Sequence, residues 1–315
     1  MKRIVCAALF MTLIVMALPR LFPVRDAAPQ PDSAPDKVAE KLKPDESRSI
    51  RLLSGDTVVE IGVFDYLTGV VAAEMPVSFE PEALKAQSVA ARSYLQRALA
   101  SPKHEGADIC TDSACCQAYL SPEQLKSSWG DKYAQYSEKI SAAVKATDGE
   151  YLSYDGKPAL AAFHSSSDGA TEDAGAIWSD VPYLKSVSSP ETGDSVPNFQ
   201  STVVNSDLDF RDTILYLKPE ADMTGDAGSW LGETTRTASG RVASIVIGGV
   251  SFTGSELRST DFELTHADGC FTFTVHGYGH GVGMSQYGAN AMARSGSDYR
   301  EILAHYYPSA FLEAH

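Results

Sequence analysis

The tightest constraint on the fold of this 315-residue chain lies at Met75-Pro76, between two segments with helical periodicity. Upstream, Tyr66, Leu67, Val70 and Val71 recur at the spacing of one apolar helix face. Proline disfavours the α conformation of the residue before it, so this helix should stop at about Glu74. Downstream, Pro81 suits a first helical position, and Ser78 or Glu80 can cap. Leu84, Ala91, Leu95 and Leu99, with Ser88 in register, mark a second stripe over about five turns. The break therefore places Glu74 at a helix C-terminus. The helix dipole is negative there, and Ala72, Ala73 and Met75 are apolar, so the carboxylate is disfavoured twice and its pKa should rise above the ~4.3 of a free Glu. A carboxylic acid that keeps its proton near neutral pH can protonate a leaving oxygen, as glycosidic bond cleavage requires. A solvated last-turn glutamate has the same local pattern. Lys85 and Arg92, seven residues apart, share a face, with Gln87 beside them towards the Glu74 end; they read either as an outer charged face or as groups serving the candidate acid.

A second dense group of chemistry follows. In His104-Glu-Gly-Ala-Asp-Ile-Cys110-Thr-Asp-Ser-Ala-Cys115-Cys116, a histidine and three cysteines lie within thirteen residues. A polar loop of this kind can wrap one Zn²⁺, and it can equally form a bridge between Cys115 and Cys116 or between Cys110 and Cys116.

Beyond residue 150 the period changes. Asp155-Gly156 between Tyr151–Tyr154 and the apolar run 158–163 predicts a hairpin, as does Gly248-Gly249 between 242–247 and 250–252. The first delivers the loop His164-Ser-Ser-Ser-Asp168-Gly-Ala-Thr-Glu172. Strand 271–275 enters His276-Gly-Tyr-Gly-His280-Gly-Val-Gly-Met-Ser285, where Ser285 can cap a helix ending near Gly296. The glycines argue against a helical metal pair of His276 and His280, a zinc hydrolase on these two lacks an obvious third ligand, and no Lys-Ser/Thr follows to make a phosphate loop. The run either lines a cleft or packs as a tight strand-to-helix turn. The loop 164–167 lacks a G-x-S-x-G elbow, which argues against a serine hydrolase. The fold class is α+β, a helical segment carrying Glu74 packed with a strand-rich, hairpin or barrel-like portion.

The N-terminus carries Lys2 and Arg3, an apolar run from Ile4 to Leu18, then Pro19, Arg20 and Pro23, with no clean small-x-small cleavage site. Residues 1–24 are expected to be an uncleaved signal anchor, 25–50 a solvated stalk, and 51–315 an ectodomain of one or two subdomains. The formal net charge of −15 argues against nucleic acid as a partner.

Four stretches together resemble the stage II sporulation protein D family: Ala73-Glu-Met-Pro76 with 82–94, the segment 104–119, the segment 163–172 with Pro182-Tyr-Leu184, and 276–289. The resemblance covers the chain from about residue 55 onwards. It implies a peptidoglycan lytic transglycosylase of endospore-forming bacteria, with Glu74 as acid and then base. Lys85, Gln87, Arg92, Tyr94, His164 and His280 are the candidates for binding glycan. It also implies Zn²⁺ on His104, Cys110 and Cys116, with Cys115 where the family often has His, so that the fourth ligand is Cys115 or water. A transglycosylase closes a 1,6-anhydro ring with the sugar's own hydroxyl and needs one carboxylate, whereas hydrolases need two; Asp168 and Glu172 remain candidates for a second. The resemblance further implies a single-pass protein on the mother-cell side of the septum, acting in engulfment with a partner amidase and a membrane sporulation complex. Related domains also occur in amidase enhancers, which implies a binding module as the alternative.

Overall fold

The computed structural model describes residues 44–313 apart from 198 and 258. The expected anchor at 1–24 and the stalk up to residue 43 lie outside them. Among the described residues no helix is long and apolar enough to cross a membrane. Residues 44–50, expected to end the stalk, are part of the folded body. A 3₁₀ turn at Asp45–Ser47 leads into β1 (Ser49–Ser54), and Asp45 is buried.

β1 pairs antiparallel with β2 (Thr57–Gly62) and parallel with β3 (Ile109–Cys110). From β2 the chain enters α1 (Val63–Glu74), which buries Tyr66, Leu67, Val70 and Val71 and stops where proline demands, with Met75 extended. α2 (Pro81–Ala100) begins on Pro81 and buries Leu84, Ser88, Ala91 and Leu95 as expected. It also buries Ala83, Ala86, Gln87, Val89, Ala90, Arg92 and Ser93, because other elements surround it. These are α1, α4 (Tyr133–Ala146), β4 (Tyr151–Tyr154), α7 (Gln286–Arg294) and α8 (Tyr299–Tyr306), and α3 (Pro122–Trp129) packs in turn on α4. The first hydrophobic core is thus built around α2.

β4 and β5 (Lys157–Pro158) form the expected hairpin, with positive φ at Asp155 and Gly156, but its second strand is short. Phe163 and His164 form β6, which instead pairs in parallel with β13 (Met284–Ser285). A short helix α5 (Ala174–Ile177) follows.

Residues 200–276 build a second core. β7 (Gln200–Ser206), β8 (Leu231–Arg236), β9 (Val242–Ile247), β10 (Val250–Thr253), β11 (Phe262–Ala267) and β12 (Cys270–His276) form two antiparallel sheets, β10-β9-β8 and β11-β12-β7, which with α6 (Asp207–Leu217) surround Phe210, Phe252, Phe262 and Phe271. Both expected strands, 242–247 with its Gly248-Gly249 turn and 271–275, are present. The α+β class holds, whereas no sheet among the described residues closes into a barrel. Closure needs one continuous staggered ladder; here each sheet has three strands at most, and β8 breaks register against β9. The last strand, β14 (Phe311–Glu313), returns to pair with β4.

Candidate active site and metal-binding cluster

Glu74 is the last residue of α1, and its carboxylate is only partly exposed. Oε1 accepts the Ala118 backbone N–H at 3.0 Å, and Gln286 donates a side-chain hydrogen bond to the same carboxylate. Burial raises the Glu74 pKa above the ordinary value, and the two hydrogen bonds favour the ion and oppose that shift without cancelling it. The direction matches the expectation, with desolvation as the leading cause.

Gln286 brings a distant segment to Glu74. It opens α7, whose N-cap is Ser285, with Oγ accepting from Gly288 N–H at 3.1 Å. Ser285 Oγ also donates to the buried carboxylate of Glu191, which accepts the Ser167 N–H at 2.7 Å, so a buried acid pins the start of α7. Gln286 Nε2 reaches Gln87 Oε1 at 3.5 Å, and the Gln87 amide nitrogen is buried without a partner among the described residues. Gln87 is therefore linked to the acid through Gln286. Gln286 was missed; its one signal was its place directly after a predicted N-cap.

The loop that offers Ala118 carries the cysteines. His104, Cys110, Cys115 and Cys116 place one ligand atom each within 4.8 Å of one another. His104 Nε2 lies 3.6 Å from Cys115 Sγ and 3.5 Å from Cys116 Sγ, and the two sulfurs are 3.9 Å apart. A tetrahedral ion with Zn–S and Zn–N bonds of about 2.3 and 2.0 Å spaces its ligands by roughly 3.5–3.8 Å, so the cluster has the dimensions of a metal site. Burial raises Cys115 and pushes the Cys110 thiol up to about 12, so three thiolates need a cation among them. The described cysteines are free thiols, and neither expected bridge is formed. Tyr94, a candidate for glycan, is tied to this loop: its hydroxyl donates to Cys115 O at 3.2 Å, and Lys103 Nζ donates to the same carbonyl at 2.7 Å. The loop packs so closely on α1 that a Cβ at Gly69 would lie 2.3 Å from the Tyr119 ring.

The remaining expected site residues are dispersed. Arg92 is fully buried. It pairs with Asp45 at 2.7 Å and donates to Glu150 O at 2.9 Å and Val144 O at 3.3 Å, which corrects its assignment as a glycan ligand. Lys85 binds Glu82 at 2.6 Å and lies 5.7 Å from the centre of the Tyr299 ring, so the two cations do not flank the acid. His164 is buried, with Nε2 2.6 Å from Ser167 Oγ and Nδ1 3.2 Å from Val282 O. Burial, His280 and Arg241 hold its pKa well below 6.5. It supports the loop from within and offers no free nitrogen. His280 is also kept neutral, lowered to about 4 by burial and then by Arg241, and its ring lies 4.8 Å from that of the half-exposed Trp178. The glycine run is irregular as expected: Gly277, Gly279, Gly281 and Gly283 all have positive φ. A Cβ on Gly283 would lie 2.0 Å from Ala162 O, and one on Gly281 would strike the Arg241 guanidinium. Of the two candidate second carboxylates, Glu172 is buried and accepts from Thr237 at 2.6 Å and Ser239 at 2.7 Å, while Asp168 is exposed, 3.8 Å from His276 Nδ1.

A helix-end acid held between a thiol-rich loop and a capped helix defines a candidate catalytic or binding domain of mixed α+β type. The family model for stage II sporulation protein matches residues 54–154, the stretch with Glu74 and the His/Cys cluster. The chain is 43% identical over 265 residues to stage II sporulation protein D of Bacillus amyloliquefaciens, covering 81% of this chain and 75% of that one. It is 39% identical over 282 residues to stage II sporulation protein D of Bacillus subtilis (strain 168), covering 86% and 80%. It is also similar to an amidase enhancer of Bacillus subtilis (strain 168), 31% identical over 306 residues, covering 79% of this chain and 40% of that one. The chain belongs to the stage II sporulation protein D family.

Proposed function

We propose that this chain is a peptidoglycan lytic transglycosylase acting in wall degradation during sporulation, with Glu74 as its single acid and base. The observation that carries the reading is the environment of Glu74: burial keeps the carboxyl protonated to higher pH, while Ala118 and Gln286 stand ready to stabilise the carboxylate it becomes. No carboxylate among the described residues acts on it, and Glu172 is committed to Thr237 and Ser239. In the first step Glu74 gives its proton to the oxygen linking MurNAc C1 to GlcNAc, and the C1–O bond breaks. In the second the carboxylate takes the proton of the MurNAc C6 hydroxyl, whose oxygen closes on C1 to give a 1,6-anhydro end. Water takes no part, so no second carboxylate is required. Gln87 and Gln286 position the acid. His280, Trp178 and Tyr278 offer neutral and aromatic surface suited to sugar rings.

His104, Cys110, Cys115 and Cys116 would hold Zn²⁺ with a full protein shell, Cys115 taking the place of the family's second histidine. The ion supplies charge that keeps three thiolates together and thereby fixes the loop offering Ala118 N–H. Lys2, Arg3 and the apolar run 4–18 support a membrane anchor that leaves the domain outside the cytoplasm. A partner amidase and a membrane sporulation complex complete the reading.

The similarity to an amidase enhancer favours a second reading, a glycan-binding module that acts through another enzyme. Release of soluble fragments from purified peptide-free glycan separates the two. The protein alone should release them, and Glu74→Gln should lower the rate on the order of 10²–10⁴-fold while still binding glycan. An intact peptide-free glycan, together with release from peptide-bearing peptidoglycan that needs an added amidase and survives Glu74→Gln, would establish the enhancer instead.

A further inference from the structure

Strand β7 (Gln200–Ser206) is the outer strand of the sheet β11-β12-β7, and its free edge meets no other strand among the described residues. Every residue of it except Asn205 is exposed. Two valines therefore stand in solvent: Val203, beside Phe273 on the face that carries the second core, and Val204, beside Thr272 on the other face. Of the ten large apolar side chains exposed among the described residues, five (Val203, Val204, Leu208, Tyr216 and Leu217) lie on β7 or on α6, which follows it directly. Apolar exposure is thus concentrated at this edge. Sheet edges are ordinarily guarded by charge. The three six-residue edge strands follow that rule: β2 carries Glu60, β8 carries Glu233 and Arg236, and β11 carries Glu263. β7 is longer, reads Gln-Ser-Thr-Val-Val-Asn-Ser, and has neither charge nor proline.

The free backbone groups of β7 match one another. Just beyond its two ends, Gly277 N–H donates to Phe199 O at 2.9 Å and Asp207 N–H donates to Gly269 O at 3.1 Å. Hydrogen-bonded pairs alternate along an antiparallel ladder, so the odd-numbered residues of β7 spend their N–H and C=O groups on β12, and those of Thr202 and Val204 point outwards. Turned about a two-fold axis through Val203, a second β7 puts Thr202 of each copy opposite Val204 of the other, where each pair exchanges both hydrogen bonds, and puts Ser201 opposite Asn205. We propose that β7 is a homodimer contact, the edge at which two copies of this chain join their sheets antiparallel, with the two Val203 residues side by side on the axis. The occupant is a second copy because the strand is its own complement in polarity and register, and such an isologous contact closes on itself. Charge agrees. Chains of net charge −15 repel, and two copies approach at least cost where neither presents a charge. This contact does not depend on whether Glu74 cleaves glycan.

A pair of short strands associates weakly, so the test traps it covalently. On the axis the two Val203 residues form a non-hydrogen-bonded pair with Cα atoms about 4.5 Å apart, within the span of a disulfide. Full-length Val203→Cys protein in mild detergent, gently oxidised, should form a disulfide-linked dimer about tenfold faster than Ser201→Cys, whose partner cysteine would lie roughly 14 Å away at ~3.4 Å per residue. The unsubstituted chain, with its own cysteines, sets the background. Adding Val204→Pro to Val203→Cys deletes an outward N–H that the monomer does not use, so the thermal melt should be kept while cross-linking falls to background. Val204→Lys, which places a charge on the edge, should do the same. Added salt should speed cross-linking, because it screens the repulsion between acidic chains. Equal rates for the two cysteines, or cross-linking that persists in both Val204 variants, would overturn the dimer. So would Val203→Cys protein that stays monomeric; protection of its Thr202 and Val204 amides from hydrogen exchange would then show that a strand of another kind holds the edge.

Discussion

At the scale of single residues, Glu74 is governed by three opposed influences. Burial disfavours its ion, whereas Ala118 N–H and Gln286 favour it. The proposed first step needs the protonated acid, so the rate should fall as pH rises through the Glu74 pKa, which burial raises above the ordinary value. Gln286→Met keeps volume and deletes the donor, which removes one of the influences lowering that pKa. The alkaline limb of the pH–rate profile should therefore move to higher pH; a uniform loss at all pH values would make Gln286 merely structural. Arg92 is the contrasting case. Its guanidinium is sealed against Asp45, whose carboxyl is pushed up by burial against the pull of Arg92. Arg92→Ala leaves a buried charge alone and should cost about 3–5 kcal/mol of stability in a denaturant titration. Activity per folded molecule should be unchanged, and a loss of turnover at full stability would return Arg92 to the site.

At the scale of elements, the loop between β3 and α3 acts as a strut between the thiol cluster and the acid. One residue separates Cys116 from Glu74's backbone donor at Ala118, and Tyr94 and Lys103 clamp the Cys115 carbonyl from the other side. Purified protein should carry about one Zn²⁺ per chain. Cys110→Ser should lose most of it, because a hydroxyl is a poor ligand, whereas Cys115→His should keep it. Metal removal should raise amide hydrogen exchange in 104–119 well before the strands of the second core, since such binding energy is largely local folding energy. Metal-free protein with unchanged exchange there would refute the strut. The turn 276–283 behaves differently, held by its own glycines and by two neutral histidines. His280 has its pKa depressed to about 4, so its contribution to stability is present above its unfolded value of about 6.5 and lost as pH falls towards 4. Thermal melts between pH 7 and pH 4 should fall less steeply in His280→Asn, and an identical slope would show that another group sets it.

At the scale of the whole molecule, what could be read from the sequence was what local chemistry decides. Pro76 stops α1 at Glu74, Ser285 caps α7, Asp155-Gly156 and Gly248-Gly249 turn their hairpins, and the crowded cysteines close on one point. Pairings across the chain were hidden. Glu80 meets Asn290 at a separation of 210 residues, and Gln286 reaches Glu74 over a similar span, which no periodicity reports. Arg92 was misread because charges on a helix ordinarily mark its solvated face, whereas α2 is enclosed on nearly every side and its arginine is matched by Asp45 from a segment expected to be stalk. The separate second core at 200–276 was likewise blurred into one strand-rich portion, since alternation shows that strands exist and not which sheet they join. The proposal that unites these parts is cleavage by one acid without water, and the chemical form of the new strand end tests it most directly. Mass spectrometry of peptide-free glycan after incubation with the protein should show 1,6-anhydro-muramic ends, absent with Glu74→Gln. Reducing ends that take up ¹⁸O from labelled water would contradict it, because they require a hydrolase and a second carboxylate that positions the water.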